Sequence, residues 1–148
     1  MGTSGNGLKS PFGKVLGLSI ESLTESGIRF KFPMRNELVG NSDIGFLHGG
    51  VISGMLDATG SVTAWIDVIN RMKGPFTPQK AASIGAFTVD LRVDYLRPGS
   101  GEYFVSSCKV PRAGTKIAVT RMELRNNADL AIAAGTGTYA IGRVSLPT

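Results

Sequence analysis

Asp57 is the residue whose type and position most clearly suggest chemistry, because it is an isolated carboxylate inside an apolar segment. No other charged residue lies between His48 and Asp67. The residues from Val51 to Ile69 repeat apolar side chains at intervals of three and four, which predicts an amphipathic helix. On that helix Asp57 lies almost opposite the apolar stripe. The carboxylate is therefore a candidate nucleophile or general base.

The helix face around Asp57 carries only small residues. They are Gly50, Ser53, Gly54, Gly60, Ser61 and Ala64. Small side chains allow another backbone or a ligand to approach closely, and Gly50 and Ser61 are the candidates for contact with a substrate. A carboxylate in such a groove is costly to desolvate unless it has a partner or a role. Two interpretations stay open: a functional carboxylate, or a hydrated structural one that caps a neighbouring loop.

The start of the predicted helix supplies a second chemical feature. His48, Gly49 and Gly50 precede it, and the first N–H groups of a helix have no partner within the helix. Such amides bind anions or polarise a carbonyl oxygen, as an oxyanion hole does. The Gly49 amide is the candidate donor.

The spacing of these two features has a consequence for assembly. Gly49 and Asp57 are eight residues apart in the sequence, which corresponds to about 12 Å along one helix. A carbonyl held at the Gly49 amide cannot also touch Asp57 of the same chain. If both act on one substrate, a second, antiparallel copy must supply the carboxylate, which predicts a two-fold dimer with two equivalent sites.

Strand patterns flank the helix on both sides, which predicts an α+β domain with one antiparallel sheet wrapped around the helix. Residues 1–12 form a flexible lead-in and residues 13–148 a single domain. Residues 34–47 form a loop. Short turns between the last four strands favour hairpins and hence a meander. Alternation along Phe87–Tyr95 places Thr88 on the face away from the apolar residues. The predicted strands are 15–23, 28–32, 87–95, 102–110, 116–125 and 130–141.

Composition limits the partners and the compartment. The net charge of +5 suggests an anionic partner, but the basic residues are scattered rather than clustered, which disfavours nucleic acid and leaves either a small phosphorylated ligand or a chance excess of positive charge. No segment is long and apolar enough to span a membrane. The single cysteine, Cys108, cannot form an internal disulfide and predicts a cytoplasmic protein. A zinc site is disfavoured because His48 has no Cys or second His nearby.

Two segments carry a resemblance to a known family. The residues LHGGVISGMLD, from Leu47 to Asp57, and VDYLRPG, from Val93 to Gly99, resemble the PaaI-type branch of the hotdog-fold thioesterases. The family pattern joins a His-Gly-Gly turn to an acidic residue nine positions after the His, and His48 and Asp57 satisfy it. The resemblance extends from the first predicted hairpin to the C-terminus.

The resemblance implies a hotdog fold, in which a curved antiparallel sheet of five to six strands wraps one long central helix. It also implies a homodimer that pairs its sheets edge to edge and often pairs again into a homotetramer. The substrate would be an acyl thioester of coenzyme A, and no cofactor is needed. The Gly49 amide would polarise the thioester carbonyl, and Asp57 of the partner chain would act as nucleophile or general base. His48 would help to order the turn.

Further site residues follow from the same resemblance. Related enzymes place an Asn six positions before the His, where this chain has Ser42, and Asn41 one position earlier is the candidate for holding the nucleophilic water. Thr88 matches a hydroxyl residue that recurs in the family site. Three cations at strand ends or turns are candidates for the phosphates of coenzyme A, with solvated turn residues as the alternative. They are Arg97, Arg112 and Lys116.

Two other functions remain open at this point. One is a hotdog hydratase or dehydratase acting on an enoyl thioester, and the other is a non-catalytic acyl-CoA-binding protein. The acyl group is not determined either. The large side chains that would shape its pocket fit an aromatic or a long aliphatic group equally, and they are Met55, Trp65, Phe76 and Phe87.

Overall fold

One long helix lies against a single antiparallel sheet in the computed structural model, which describes residues 10–24 and 27–144. The predicted order of two strands, a long helix and four strands is confirmed, and short helices are added to it. The elements are α1 (Pro11–Leu16), β1 (Ser19–Thr24), β2 (Gly27–Pro33), a 3₁₀ turn (Asn36–Leu38), α2 (Gly49–Arg71), α3 (Pro78–Ala82), β3 (Ile84–Tyr95), β4 (Tyr103–Ala113), β5 (Ile117–Asn126) and β6 (Ala131–Arg143).

The long helix α2 has 23 residues and is therefore about 34 Å long. Its first turn is capped by His48, whose Nδ1 accepts the Gly50 N–H at 2.8 Å, and Arg71 in its last turn complements the helix dipole. The apolar stripe of α2 packs against strands β2 to β6. Met55 and Leu56 are fully buried there, so the predicted amphipathic helix is confirmed.

The core beneath α2 is rich in aromatic residues from neighbouring strands. Phe30 and Phe32 of β2 and Phe104 of β4 are fully buried. The rings of Phe32 and Phe104 stack with their centroids 5.2 Å apart. Each ring removes a large apolar area from water, so these strands contribute strongly to the stability of the sheet around α2.

The strand order in the sheet is β1-β2-β4-β5-β6-β3, with every pair antiparallel. Strands β4 to β6 form the predicted meander, but β3 pairs with β6 instead of β4, so the predicted β3–β4 hairpin is wrong. The segment after β3 crosses the start of α2, where the Leu47 N–H donates to the Gly99 carbonyl at 2.9 Å. A Cβ at Gly99 would lie 2.7 Å from the Leu47 Cβ. Only glycine allows this close crossing.

Strand β3 contains a bulge that changes which side chains face α2. Its pairing with β6 shifts between Thr88 and Asp90, so Val89 is an extra residue. Leu91 and Val93 beyond the bulge pack against the core, as predicted. Before the bulge, the side chains that simple alternation would turn outward face α2 instead. Phe87 and Val89 are therefore exposed. The uninterrupted alternation predicted for residues 87–95 is therefore wrong in its first half.

The first predicted strand, 15–23, is corrected at its start, because residues up to Leu16 belong to α1. Ser10 caps this helix, Pro11 begins it and Gly17 ends it with φ of 71°, and these signals outweigh the apolar pattern. Most of the predicted lead-in, residues 1–9, lies outside the described residues. Its last residues begin α1, and Phe12 lies over α2, where a Cβ at Gly54 would be 3.2 Å from its ring.

Candidate functional site

Asp57 lies in the middle of α2, where two hydroxyl groups hold one oxygen of its carboxylate. Thr88 donates to Oδ1 at 2.9 Å and Tyr139 donates to the same atom at 3.1 Å. None of the described residues donates a hydrogen bond to Oδ2. The carboxylate is thus fixed through one oxygen, and the other is available to a substrate or a water molecule.

The bulge in β3 is what brings Thr88 to Asp57. Regular alternation would turn its side chain away from α2, and the extra residue Val89 places it on the inner face together with Leu91. The position expected from alternation is therefore wrong. Thr88 thereby lies within hydrogen-bonding distance of Asp57, and the site role that the resemblance implies for it stays a prediction.

Tyr139 of β6 is a site residue that the sequence did not reveal. It is fully buried, and burial, followed by the negative charge of Asp57 and their hydrogen bond, raises the pKa of its phenol well above the ordinary value. The phenol therefore stays protonated and can act only as a donor to the carboxylate. Its contact with Asp57 joins residues 82 positions apart in the chain, a separation that local patterns do not report.

Glycines make room for this tyrosine. A Cβ at Gly60 would lie 2.4 Å from the Tyr139 hydroxyl oxygen, and one at Gly137 would lie 2.6 Å from it. The run of small residues in β6, Gly135-Thr136-Gly137, is the signal that could have indicated a close approach here. Two positions on the face of small residues of α2 are thus covered by the protein itself. Phe12 covers Gly54, and Tyr139 covers Gly60.

The two glycine amides at the helix start differ in their hydrogen bonding. The Gly50 N–H is occupied by His48 Nδ1, which places the proton of a neutral His48 ring on Nε2. The Gly49 N–H makes no hydrogen bond to any described residue. Tyr95 donates to the Gly49 carbonyl at 3.2 Å and so steadies the turn. Gly49 therefore keeps a free donor, whereas Gly50 does not.

Gly49 and Asp57 both belong to α2, so the separation of about 12 Å along the helix axis holds in the folded chain. Asn41 does not contact Asp57 within one chain. Its side-chain oxygen instead accepts the Asp43 N–H at 2.9 Å and so stabilises the loop before α2. The predicted catalytic residues are therefore grouped at two places, around Asp57 and around the start of α2.

The three candidate cations lie at opposite ends of α2. Arg97 lines a shallow hollow of about 470 Å³ beside Gly49, and its guanidinium donates to the Ala131 carbonyl. Arg112 and Lys116 are exposed and flank the β4–β5 turn, where the Gly114 carbonyl accepts a hydrogen bond from Arg71 at the end of α2. One chain does not bring all three together.

A second hollow, which we call the apolar cavity, has a volume of about 670 Å³ and lies along the second half of α2. Ser61 lies in its wall, and so do Trp65 and Phe76. Of the other side chains expected to shape an acyl pocket, Met55 is buried in the core and Phe87 faces outward. Among the described residues, the lining consists of Ile20, Leu23, Ile28, Phe30, Ser61, Val62, Trp65, Ile66, Phe76, Pro78, Ala81, Ala82 and Ala86.

Across residues 10–24 and 27–144, no three His, Cys, Asp or Glu side chains are grouped so as to hold a metal ion. Within the same ranges, no helix is long and apolar enough to cross a membrane.

The chain is similar in sequence and in structure to known thioesterases. Residues 44–133 match the model of the thioesterase superfamily. The medium/long-chain acyl-CoA thioesterase YigI of Escherichia coli K12 is 38% identical over 135 residues, which cover 89% of this chain and 86% of that protein. A Shewanella oneidensis structure related to the thioesterase superfamily is 39% identical, with a TM-score of 0.81 over 90% of this chain and 88% of that one. A Haemophilus influenzae thioesterase shares the fold at 17% identity, with a TM-score of 0.77 over 92% and 85% of the two chains.

Proposed function

Because this chain belongs to the thioesterase superfamily, we propose that it hydrolyses medium- and long-chain acyl-CoA thioesters to the free acid and coenzyme A. The observation that carries the proposal is the half-buried Asp57 carboxylate, held at Oδ1 by Thr88 and Tyr139 and lying next to the apolar cavity. The name of the Escherichia coli relative supports the chain-length class. Assignment to the PaaI-type branch stays a prediction.

In the proposed reaction Asp57 acts through Oδ2, by one of two routes. As a nucleophile it attacks the thioester carbonyl carbon, the C–S bond breaks, and water then hydrolyses the acyl-aspartyl anhydride. As a general base it takes a proton from a water molecule, whose oxygen attacks the same carbon. In both routes the Gly49 N–H stabilises the negative charge on the carbonyl oxygen, and coenzyme A leaves as its thiolate and is protonated.

Each site of the proposed enzyme is built from two chains. Gly49 and Asp57 are too far apart on one helix to act on one carbonyl, so the amide comes from one copy and the carboxylate from the other. Strand β3 supports this assembly because it is an edge of the sheet, is 12 residues long and exposes Phe87 and Val89. We place the contact between two copies at this edge, giving a homodimer that pairs again into a homotetramer.

Coenzyme A is placed on the side of Gly49 in this proposal. Arg97 and the hollow beside Gly49 offer a positive charge and a surface for the pantetheine arm. Antiparallel α2 helices bring the Arg97 end of one chain towards the Arg112 and Lys116 end of the other, so the three cations can serve one substrate only in the dimer. Asn41 remains the candidate for holding water, and Gly50 and Ser61 for contact with the thioester.

The test is a panel of acyl-CoA substrates with a reagent that detects free thiols. Release of coenzyme A supports the proposed hydrolase. Hydration of crotonyl-CoA without thiol release would instead identify a hydratase, and binding without either reaction would identify a binding protein.

Cys108 determines the background of this assay. Burial raises the pKa of its thiol to about 11, so the thiol is protonated near neutral pH and reacts slowly with the reagent. A Cys108→Ala variant provides the matched blank. An unpaired, half-buried thiol also agrees with the proposed cytoplasmic location.

A further inference from the structure

We propose that the apolar cavity holds the acyl chain of the substrate and that Trp65, by fixing α3 at the cavity wall, sets the length of chain the enzyme accepts. This inference rests on the proposed function and adds to it where the acyl chain binds and how long that chain can be.

The wall of the cavity begins close to the Asp57 site. Ser61 in its wall lies one helical turn after Asp57, and Ala86 in its wall lies two residues before Thr88 on the inner face of β3. A thioester whose carbonyl carbon meets Asp57 therefore has the cavity next to it.

The chemistry of the wall selects an alkyl chain. None of the described residues that line the cavity carries a charge. Its two polar side-chain groups are already engaged, because the Ser61 hydroxyl donates to the Ala58 carbonyl and the Trp65 N–H donates to Ala81 and Ile84. The exposed rim includes Leu23 and Phe76. Such a surface gains free energy only by covering apolar groups.

The size of the cavity favours a long chain over a single aromatic ring. An apolar cavity of about 150 Å³ holds one benzene molecule, and this cavity of about 670 Å³ is several times larger. A phenylacetyl group would leave most of the wall uncovered. A medium or long alkyl chain covers more of it.

Trp65 connects the cavity wall to α3. Its indole N–H donates to the Ala81 carbonyl of α3 at 3.3 Å and to the Ile84 carbonyl at the start of β3 at 3.0 Å. The Ala81 carbonyl has no partner within the short helix, which contains no buried residue of its own. Loss of the indole N–H would therefore loosen α3, and loss of the ring would also enlarge the cavity.

The first test narrows the cavity. Wild-type kcat/KM is expected to rise by about fourfold for each added methylene until the cavity is filled. In Val62→Phe the added ring occupies cavity volume, so palmitoyl-CoA should lose at least about tenfold in kcat/KM while butyryl-CoA stays within about twofold. Val68→Phe makes the same change on α2 at a residue outside the cavity wall and should leave the chain-length profile unchanged.

The second test addresses α3. Trp65→Phe keeps a ring but removes the N–H, and Trp65→Ala removes both. The preferred chain is expected to lengthen in the first variant and to lengthen further in the second. Circular dichroism and thermal unfolding establish whether each variant is folded. If Trp65→Ala does not fold, the result for Trp65→Phe decides the test.

Failure of this inference is distinguishable from failure of the proposed function. If wild type releases coenzyme A but Val62→Phe and Trp65→Phe leave its chain-length profile unchanged, the cavity is not the acyl site and the thioesterase stands. If wild type hydrolyses nothing, calorimetry of palmitoyl-CoA and butyryl-CoA on Asp57→Asn, with and without Val62→Phe, decides the inference by binding alone. Equal weakening of both ligands, or of neither, would overturn it.

Discussion

Asp57 combines a fixed position with a free oxygen. Both of its hydroxyl donors, Thr88 and Tyr139, meet Oδ1, which restrains rotation of the carboxylate without using its second oxygen. Hydrogen bonds to a charged group are worth more than those between neutral groups, so this restraint is substantial. The arrangement suits a carboxylate that must meet a carbonyl carbon or a water molecule at a defined angle.

Replacing Asp57 by Asn tests the role of its charge. The amide oxygen can still accept both hydroxyl hydrogen bonds, but the side chain is neither a nucleophile nor a base. We expect kcat for acyl-CoA hydrolysis to fall by at least about two orders of magnitude, with the fold and the assembly unchanged. Turnover within about threefold of wild type would remove Asp57 from the mechanism.

Replacing Tyr139 by Phe tests the restraint itself. The ring still fills its place beside Gly60 and Gly137, but Asp57 loses one of its donors. We expect kcat to fall by about tenfold with KM nearly unchanged, because the lost interaction orients the reacting group and does not bind substrate. Tyr103→Phe, at a half-buried tyrosine of β4, is the matched control. A change in KM alone would assign Tyr139 to substrate binding.

Local patterns in the sequence single out Asp57, and the resemblance adds Thr88, but neither indicates Tyr139. An isolated carboxylate in an apolar helix is visible as a local pattern. The contact with Tyr139 depends on where β6 passes beneath α2, and the contact with Thr88 depends on a bulge in β3. Both are consequences of strand register, which no local spacing reports.

At the scale of elements, the start of α2 depends on an unusual capping residue. His48 Nδ1 takes the place of the Ser, Thr, Asp or Asn oxygen that more often accepts the second helical N–H. His48→Ala is expected to lower the free energy of unfolding by about 1 kcal/mol, and His48→Asn to restore most of it. Denaturant unfolding at one protein concentration measures both. Equal stability of the alanine variant and wild type would contradict the capping role.

Elements with strong periodic patterns could be predicted, and those governed by turns could not. The amphipathic α2 and the β4–β6 meander could be predicted because many residues in each segment fit the same periodic pattern. The short helix α1 depends on Ser10, Pro11 and Gly17, and α3 on Thr77 and Pro78, so few residues decide each one. The connection after β3 looked like a hairpin turn because Pro98–Gly101 has turn composition. Gly99 in this connection instead permits the chain to cross close to Leu47 at the start of α2.

At the scale of the whole molecule, the position of Gly49 and Asp57 on one helix allows a test of shared sites. Asp57→Asn is expected to be inactive, and so is Gly49→Pro, which removes the free N–H. Refolding the two variants together gives roughly half mixed dimers, each with one intact site. Activity should return to about a quarter of the wild-type level.

The controls for this experiment address folding. Circular dichroism and sizing of each variant must first show that proline has not disrupted α2. If both variants fold and associate but their mixture stays inactive, each site is contained within one chain.

Membership in the superfamily and the hotdog architecture were predictable because the His48-Gly49-Gly50 turn, Asp57 and the Tyr95 to Gly99 strand end lie at defined spacings. The edge position of β3 was not. That position depends on the pairing of β3 with β6, two strands that are separated in the sequence by β4 and β5.

The edge strand β3 also bears on how the protein behaves when association fails. A long edge with unpaired backbone groups and exposed Phe87 and Val89 is a template for uncontrolled strand addition. Variants that weaken the contact between copies would then be lost to aggregation during expression instead of accumulating as soluble monomers. Asp90, Arg92 and Asp94 on the same strand are charged residues that oppose irregular stacking, and Arg92 pairs with Asp94. In the proposed dimer, assembly and solubility thus depend on the same twelve residues.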